Sequence, residues 1–215
     1  MRFKYKSYWR KTGLKGKWGD IYLSHLDKFK PKNFLEIGVF CGVTARNTCE
    51  YLNKLHGNSF SYIGIDLFGG DKKSQIDEIE PNFLKNQTFS NPLKNIYYNY
   101  LKKENLNSIE SNQNLLKKFK KNVKLIAGDT NDVLKKIDIS DIDYIFLDGG
   151  HSYNTVINDL NIIHEGLKGK NKVILCDDYG AASFIQDVKN AVDDFSSKNN
   201  IKVQIIENRF AELIL

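Results

Sequence analysis

Residues 33–44 read Asn-Phe-Leu-Glu-Ile-Gly-Val-Phe-Cys-Gly-Val-Thr, and this stretch decides the fold. NFLEI at 33–37 is a short apolar run, the pattern of a strand buried on both faces. Gly38 and Gly42 follow, then a helical run over about 43–55. A strand that turns through glycines into a helix opens a doubly wound α/β unit. The dinucleotide fingerprint would need glycines at 40 and 43, where Phe40 and Val43 stand, and the Gly-Lys-Ser/Thr of a triphosphate loop is absent. The spacing E-x-G-x-x-x-G suits a ligand with an adenosine but no phosphates. Glu36 stands at the strand end, placed to accept a hydrogen bond from a cationic amine.

Working outward, SYIGIDL (61–67), VKLIAG (123–128), DYIFLD (143–148) and KVILCD (172–177) repeat the buried-strand pattern. Helical spacing recurs at 20–30, 154–167 and 183–197. KVQIIEN (202–208) and AELIL (211–215) form a terminal hairpin around Asn208-Arg209. Strands alternating with helices predict a doubly wound, mostly parallel, seven-stranded sheet closed by an antiparallel C-terminal hairpin. The stretch 69–122 breaks the rhythm, because a crossover helix needs about a dozen residues and this has more than fifty. It holds Pro81, Pro92, the cluster Tyr97, Tyr98 and Tyr100, and a polar helical run over 101–120. The expectation is one domain, 20–215, with an inserted helical lid at about 69–122, preceded by a basic arm, 1–19.

The chain has 215 residues, 41% hydrophobic and 12% aromatic, which excludes wholesale disorder. No apolar run reaches the roughly 18–20 residues of a membrane span, and the N-terminus lacks a secretory h-region. Three cysteines without C-x-x-C spacing fit a reducing cytoplasm. The net charge of +6 is uneven. The arm 1–19 carries seven cations and no acid, and 69–121 carries ten lysines against six acids. Such segments attract an anionic substrate, a membrane surface or nucleic acid, or serve solubility. Only four arginines stand in the chain, which weakens a nucleic-acid reading.

Acids end several strands. Asp66 ends the second, where an acid accepts both hydroxyls of a ribose in doubly wound folds. Asp129-Thr130-Asn131 follow the third, either on the ligand side or as a helix cap. Asp148 ends the fourth, and Asp177-Asp178 the fifth. Three carboxylates on one sheet edge repel unless a cation joins them, and hard oxygen donors suit Mg²⁺, Mn²⁺ or Ca²⁺. His151, three residues past Asp148 across Gly149-Gly150, is the candidate general base. His25, His56 and His164 have no such company and read as structural. Cys41 reads as a small core residue.

LEIGVFCGVTA, YIGID, AGDTNDVL, DYIFLDGGHSY and KVILCDDY, in this order, resemble class I S-adenosylmethionine-dependent methyltransferases. They resemble more narrowly the metal-dependent O-methyltransferases related to catechol O-methyltransferase and the bacterial branch acting on sugars. The resemblance implies a Rossmann-like methyltransferase fold. It implies that Glu36, Gly38, Gly42 and Thr44 hold the methionine part of the cofactor, with Phe40 also cofactor-binding, that Asp66 takes the ribose, and that Asp129, Thr130 and Asn131 border the adenine. It implies Asp148, Asp177 and Asp178 as cation ligands, Mg²⁺ or another divalent ion, with Asp148 also facing the cofactor. His151 falls where the catechol enzymes have a lysine base. Asp178 replaces the usual Asn of the catechol type, and neither 1–19 nor 69–122 has a counterpart there. The expected partner is a small hydroxyl substrate with vicinal oxygens, a sugar diol or a catechol, with no membrane partner, no nucleic acid and a homodimer left open. The competing expectations are a nucleic-acid methyltransferase using Tyr5, Tyr8 and Trp9 to stack bases, and a non-catalytic cofactor-binding member of the fold.

Overall fold

The computed structural model describes residues 4–69, 88–167, 169 and 171–215. Its centre is a seven-stranded sheet in the order β3-β2-β1-β4-β5-β7-β6. The strands are β1 (Asn33–Ile37), β2 (Ser61–Asp66), β3 (Val123–Ala127), β4 (Tyr144–Leu147), β5 (Val173–Cys176), β6 (Val203–Ile206) and β7 (Phe210–Ile214). The first five run parallel, and β7 lies antiparallel between β5 and β6. The order reverses between β1 and β4, so a switch-point crevice lies at the carboxyl end of β1.

Alternate residues of each strand feed two cores. One face carries Phe34, Tyr62, Tyr144, Phe146 and Leu175 and is covered by α1 (Lys17–Phe29) and α2 (Val43–His56). The other carries Leu35, Ile37, Ile145, Leu147 and Ile174 and packs on α6 (Tyr153–Gly166) and α7 (Gln186–Asn199). Burial on both faces explains why strand runs such as YIFL and VILC carry no polar alternation. Asn200 takes the left-handed conformation and ends α7. Glu207 and Asn208 do the same in the closing hairpin. No described helix is long and apolar enough to cross a membrane.

Within the described residues 88–122 the insert is less continuously helical than its sequence suggests. Within 88–122 stand α3 (Pro92–Ile96), continued by a π turn (Tyr97–Leu101), then α4 (Ile109–Leu116) and a 3₁₀ turn (Lys117–Phe119). The expected helix over 101–120 is interrupted at 102–108, because Ser108 caps α4 through its hydroxyl and starts it afresh. The lid expectation over 70–87 lies outside the described residues. Of the arm, residues 17–19 belong to α1, and the described part before them lies against the body. Tyr5 N donates to Asp20 Oδ1, Lys6 N and O pair with the Asn47 amide of α2, and Tyr5 OH lies 2.8 Å from Thr44 Oγ1. Arg10 is buried, donating to the Ser111 hydroxyl and to the carbonyls of Leu106 and Ser111.

Candidate functional site

Backbone bonds continue past the strand ends and bring four segments to one edge. Gly38 N donates to Ile65 O, Asp148 N to Ile37 O, Asp177 N to Leu147 O and Gly128 N to Asp66 O, all at 2.9–3.0 Å. Gly38 has φ 90, and a Cβ there would fall on the Asp148 carbonyl oxygen. Only glycine lets the β1 loop and the β4 end approach so closely.

Glu36 is wholly buried beneath this loop. Its Oε2 accepts from Tyr62 OH at 2.6 Å, while Oε1 has no hydrogen-bond partner among the described residues. Burial pushes its pKa up to about 8. A buried carboxylate oxygen without a donor is the chemistry that a cationic amine satisfies. Asp66 holds the loop: its Oδ2 accepts from Phe40 N at 2.6 Å and its Oδ1 from Phe68 N at 2.7 Å. Burial nevertheless raises the Asp66 pKa. Each of its oxygens retains acceptor capacity for a hydroxyl. Gly42, φ 73, starts α2 where a Cβ would meet the Asn112 side chain, and Asn112 Nδ2 donates to Phe40 O at 3.0 Å. Thr44 is buried with its hydroxyl on Tyr5. Asp129 caps α5 (Thr130–Val133), accepting from Asn131 N and Nδ2, and Asn131 Oδ1 accepts from Asn158 Nδ2.

Asp148, His151 and Asp178 converge, each offering a donor atom within 4.8 Å of the others. His151 Nε2 lies 3.1 Å from Asp178 Oδ2. Asp178 reaches inward because its backbone is left-handed, φ 59. Burial and the charges of Asp177 and Asp178 raise the Asp148 pKa well above the usual carboxylate range. Asp177, expected beside them as a cation ligand, has another partner. Both its oxygens accept from Arg209, from Nε and Nη2, at 2.6 Å each. Arg209 Nη2 also lies 3.9 Å from Asp178. The fork geometry of guanidinium on carboxylate accounts for this pairing. One small cavity is lined by Asp148, Gly149, Gly150, His151, Asp177 and Asp178.

The structure therefore brings Glu36, Gly38, Phe40, Gly42, Asp66 and Asp148 to the switch point, with Asp178 and His151 beside Asp148. It sets Thr44 against the arm and Asp129 on a helix cap. The arm's Tyr5 is packed into the body, while Trp9 is an exposed ring. Three contributors were not singled out in the sequence, Tyr62, Arg209 and Asn112, and Tyr5 was weighed there only as a base-stacking ring. Only Arg209 carried a signal, as one of four arginines in a lysine-rich chain.

Strand order, glycine loop and acidic strand ends define a class, the Rossmann-like methyltransferases. The model of the family described as "Methyltransferase domain" matches residues 35–179, more than half of the chain, and the chain belongs to that family. Solved structures share the fold. The O-methyltransferase NovP is 16% identical with a TM-score of 0.62, over 93% of this chain and 81% of that one. The Bacillus cereus O-methyltransferase, solved with SAH, is 9% identical with a TM-score of 0.63, over 97% and 85%. TomG from Streptomyces achromogenes, solved with SAM, is 12% identical with a TM-score of 0.58, over 91% and 78%. No curated protein matches the chain by sequence.

Proposed function

We propose that the chain is an S-adenosylmethionine-dependent O-methyltransferase, assisted by a divalent cation, acting on a small molecule with vicinal oxygens such as a sugar or glycoside diol. The observation that carries this is the convergence of Asp148, His151 and Asp178 against a glycine loop whose buried Glu36 has an oxygen without a donor. The names of NovP, TomG and the Bacillus cereus protein, all O-methyltransferases, support the reaction type.

S-Adenosylmethionine supplies an electrophilic methyl group on a sulfonium. Glu36 Oε1 fits its ammonium and Asp66 its ribose hydroxyls, while Gly38 lets the loop lie close to Asp148. Asp148 and Asp178 would hold a divalent cation, which supplies Lewis acidity to neighbouring acceptor oxygens. The pairing of Asp177 with Arg209 leaves two carboxylates for that ion rather than three. His151, hydrogen-bonded to Asp178, is oriented to take the acceptor proton. The chain's task is alignment of oxygen, carbon and sulfur in one line, which these fixed strand ends provide.

Calorimetric titration of S-adenosylhomocysteine, with Mg²⁺ and with EDTA and with NAD as control, tests this reading. Binding of the thioether and none of NAD is expected, followed by EDTA-sensitive methyl transfer to a panel of diols. No thioether binding would sink the cofactor. Thioether binding without transfer to any diol would favour the non-catalytic member of the fold.

A further inference from the structure

The helix α3 and its π turn, Pro92–Leu101, carry apolar residues on the outside. Leu93, Ile96, Tyr97, Tyr100 and Leu101 recur at i, i+3, i+4, i+7 and i+8, the spacing of one helix face, with Tyr97 half-buried against the Cys41, Tyr98 and Leu106 cluster. Four of them are exposed: Leu93 by 67%, Ile96 by 50%, Tyr100 by 70% and Leu101 by 74%. Trp9, exposed and with its ring centre 5.1 Å from that of Tyr97, extends the patch. The fold uses the other side, where Tyr98 is buried with Cys41 and Leu106. A helix that packed its stripe on the core would show the reverse.

Within the segment that carries the stripe, the charge has one sign. Residues 88–103 hold Lys94, Lys102 and Lys103 and no acid. The nearest acid in sequence, Glu104, turns to Arg10 and to the Ser111 hydroxyl. Lys94 Nζ lies 5.9 Å from the Trp9 ring centre, and Lys102 Nζ 6.0 Å from that of Tyr97. Aliphatic side chains flanked by aromatic rings and lysines are the composition of a helix lying in a lipid headgroup layer, where lysines reach the anionic heads. A second copy answers this face poorly. Symmetric pairing would set these lysines against their own equivalents with no acid between.

We infer that the face formed by helix 92–101 and Trp9 docks on an anionic lipid surface. This departs from the expectation of no membrane partner: that expectation had only the lack of a spanning run behind it, and a helix lying flat needs none. The inference does not depend on the methyl-transfer reading.

The test is co-sedimentation of the full chain with phosphatidylcholine vesicles, alone or mixed with phosphatidylglycerol, alongside tryptophan fluorescence. Binding to the anionic vesicles only is expected, with a blue shift from Trp9 and a loss as salt rises. Ile96→Ser with Leu101→Ser should weaken binding about tenfold or more. Replacing Lys94 and Lys103 by Gln should cost about fivefold per charge. These side chains lie on the outside of the fold, so unchanged circular dichroism and melting should accompany the losses. Three results would each overturn the inference. They are no sedimentation, equal binding to neutral vesicles, or a concentration-dependent dimer abolished by Leu101→Ser, which would assign the face to a second copy.

Discussion

In the proposed reaction His151 and Glu36 have different jobs and should fail differently. His151 lies on the loop at the site's rim, its side chain half exposed and its Nε2 3.1 Å from Asp178 Oδ2. His151→Ala should lower kcat by about 10²-fold or more, the size of a lost general base, and leave S-adenosylhomocysteine affinity within about twofold, because no cofactor atom needs the ring. A large loss of cofactor affinity, measured by calorimetry, would remove the base assignment. Glu36 acts from beneath the loop. Its charge and its burial were readable from a single acid inside NFLEI, but its bond to Tyr62, 26 residues away, was not. Asp177 shows the same limit. Its place at a strand end was legible, whereas its claim by Arg209 comes from a contact across 32 positions, which local sequence does not encode.

The β6–β7 hairpin does more than close the sheet. Its turn is left-handed at Glu207 and Asn208 and delivers Arg209 to the carboxyl edge, buried against Asp177. Arg209→Met should leave Asp177 buried without its counter-ion, at a cost of about 3–5 kcal/mol. The same change frees a third carboxylate, so Mn²⁺ should bind more tightly than to wild type. Titration calorimetry beside chemical denaturation reads both, and unchanged Mn²⁺ affinity would mean that Asp177 does not face the ion. The arm is the second element whose role was hidden. Seven cations without an acid read as a basic arm, serving solubility or attracting an anion. In the fold Arg10 ties residues 104–111 to the body through Ser111, Leu106 and Glu104. Arg10→Leu should cost about 1–3 kcal/mol through the acceptors left unpaired, and should make the chain around 102–108 more open to limited proteolysis. The strands themselves were legible to within a residue or two because apolar runs buried on both sides have sharp polar ends. The helix expected at 101–120 stands over 109–119 but is broken at 102–108, where the Asn and Ser residues bond neighbouring backbone.

Across the whole molecule, the sheet divides two apolar layers, yet the layer under α1 and α2 contains ionisable groups. Glu36 sits there with a pKa raised to about 8 by burial, and Asp66 at its edge is raised for the same reason. His25, in the same layer, lies 2.6 Å from both Tyr144 OH and Glu212 Oε2, and burial lowers its pKa. The signs oppose. A carboxyl raised above its unfolded value stabilises the fold fully below about 4.5, and that contribution is lost as pH rises toward about 8. A lowered histidine loses stability as pH falls below its ordinary value of 6.5. The ligand-free protein should therefore be most stable in mildly acid solution and lose on the order of a few kcal/mol from Glu36 by pH 8.5. Glu36→Gln should flatten the alkaline slope while leaving the acid slope of His25 in place. Saturating S-adenosylhomocysteine should flatten it in the wild type, because an ammonium beside Glu36 Oε1 makes the ionised form the favoured one. Chemical denaturation at pH 4.5, 6.5 and 8.5, with and without the thioether, reads both slopes. An alkaline slope equal in wild type and Glu36→Gln would mean that the buried carboxyl is satisfied by other means, and that the oxygen beneath the glycine loop is not the receptor for the cofactor's amine.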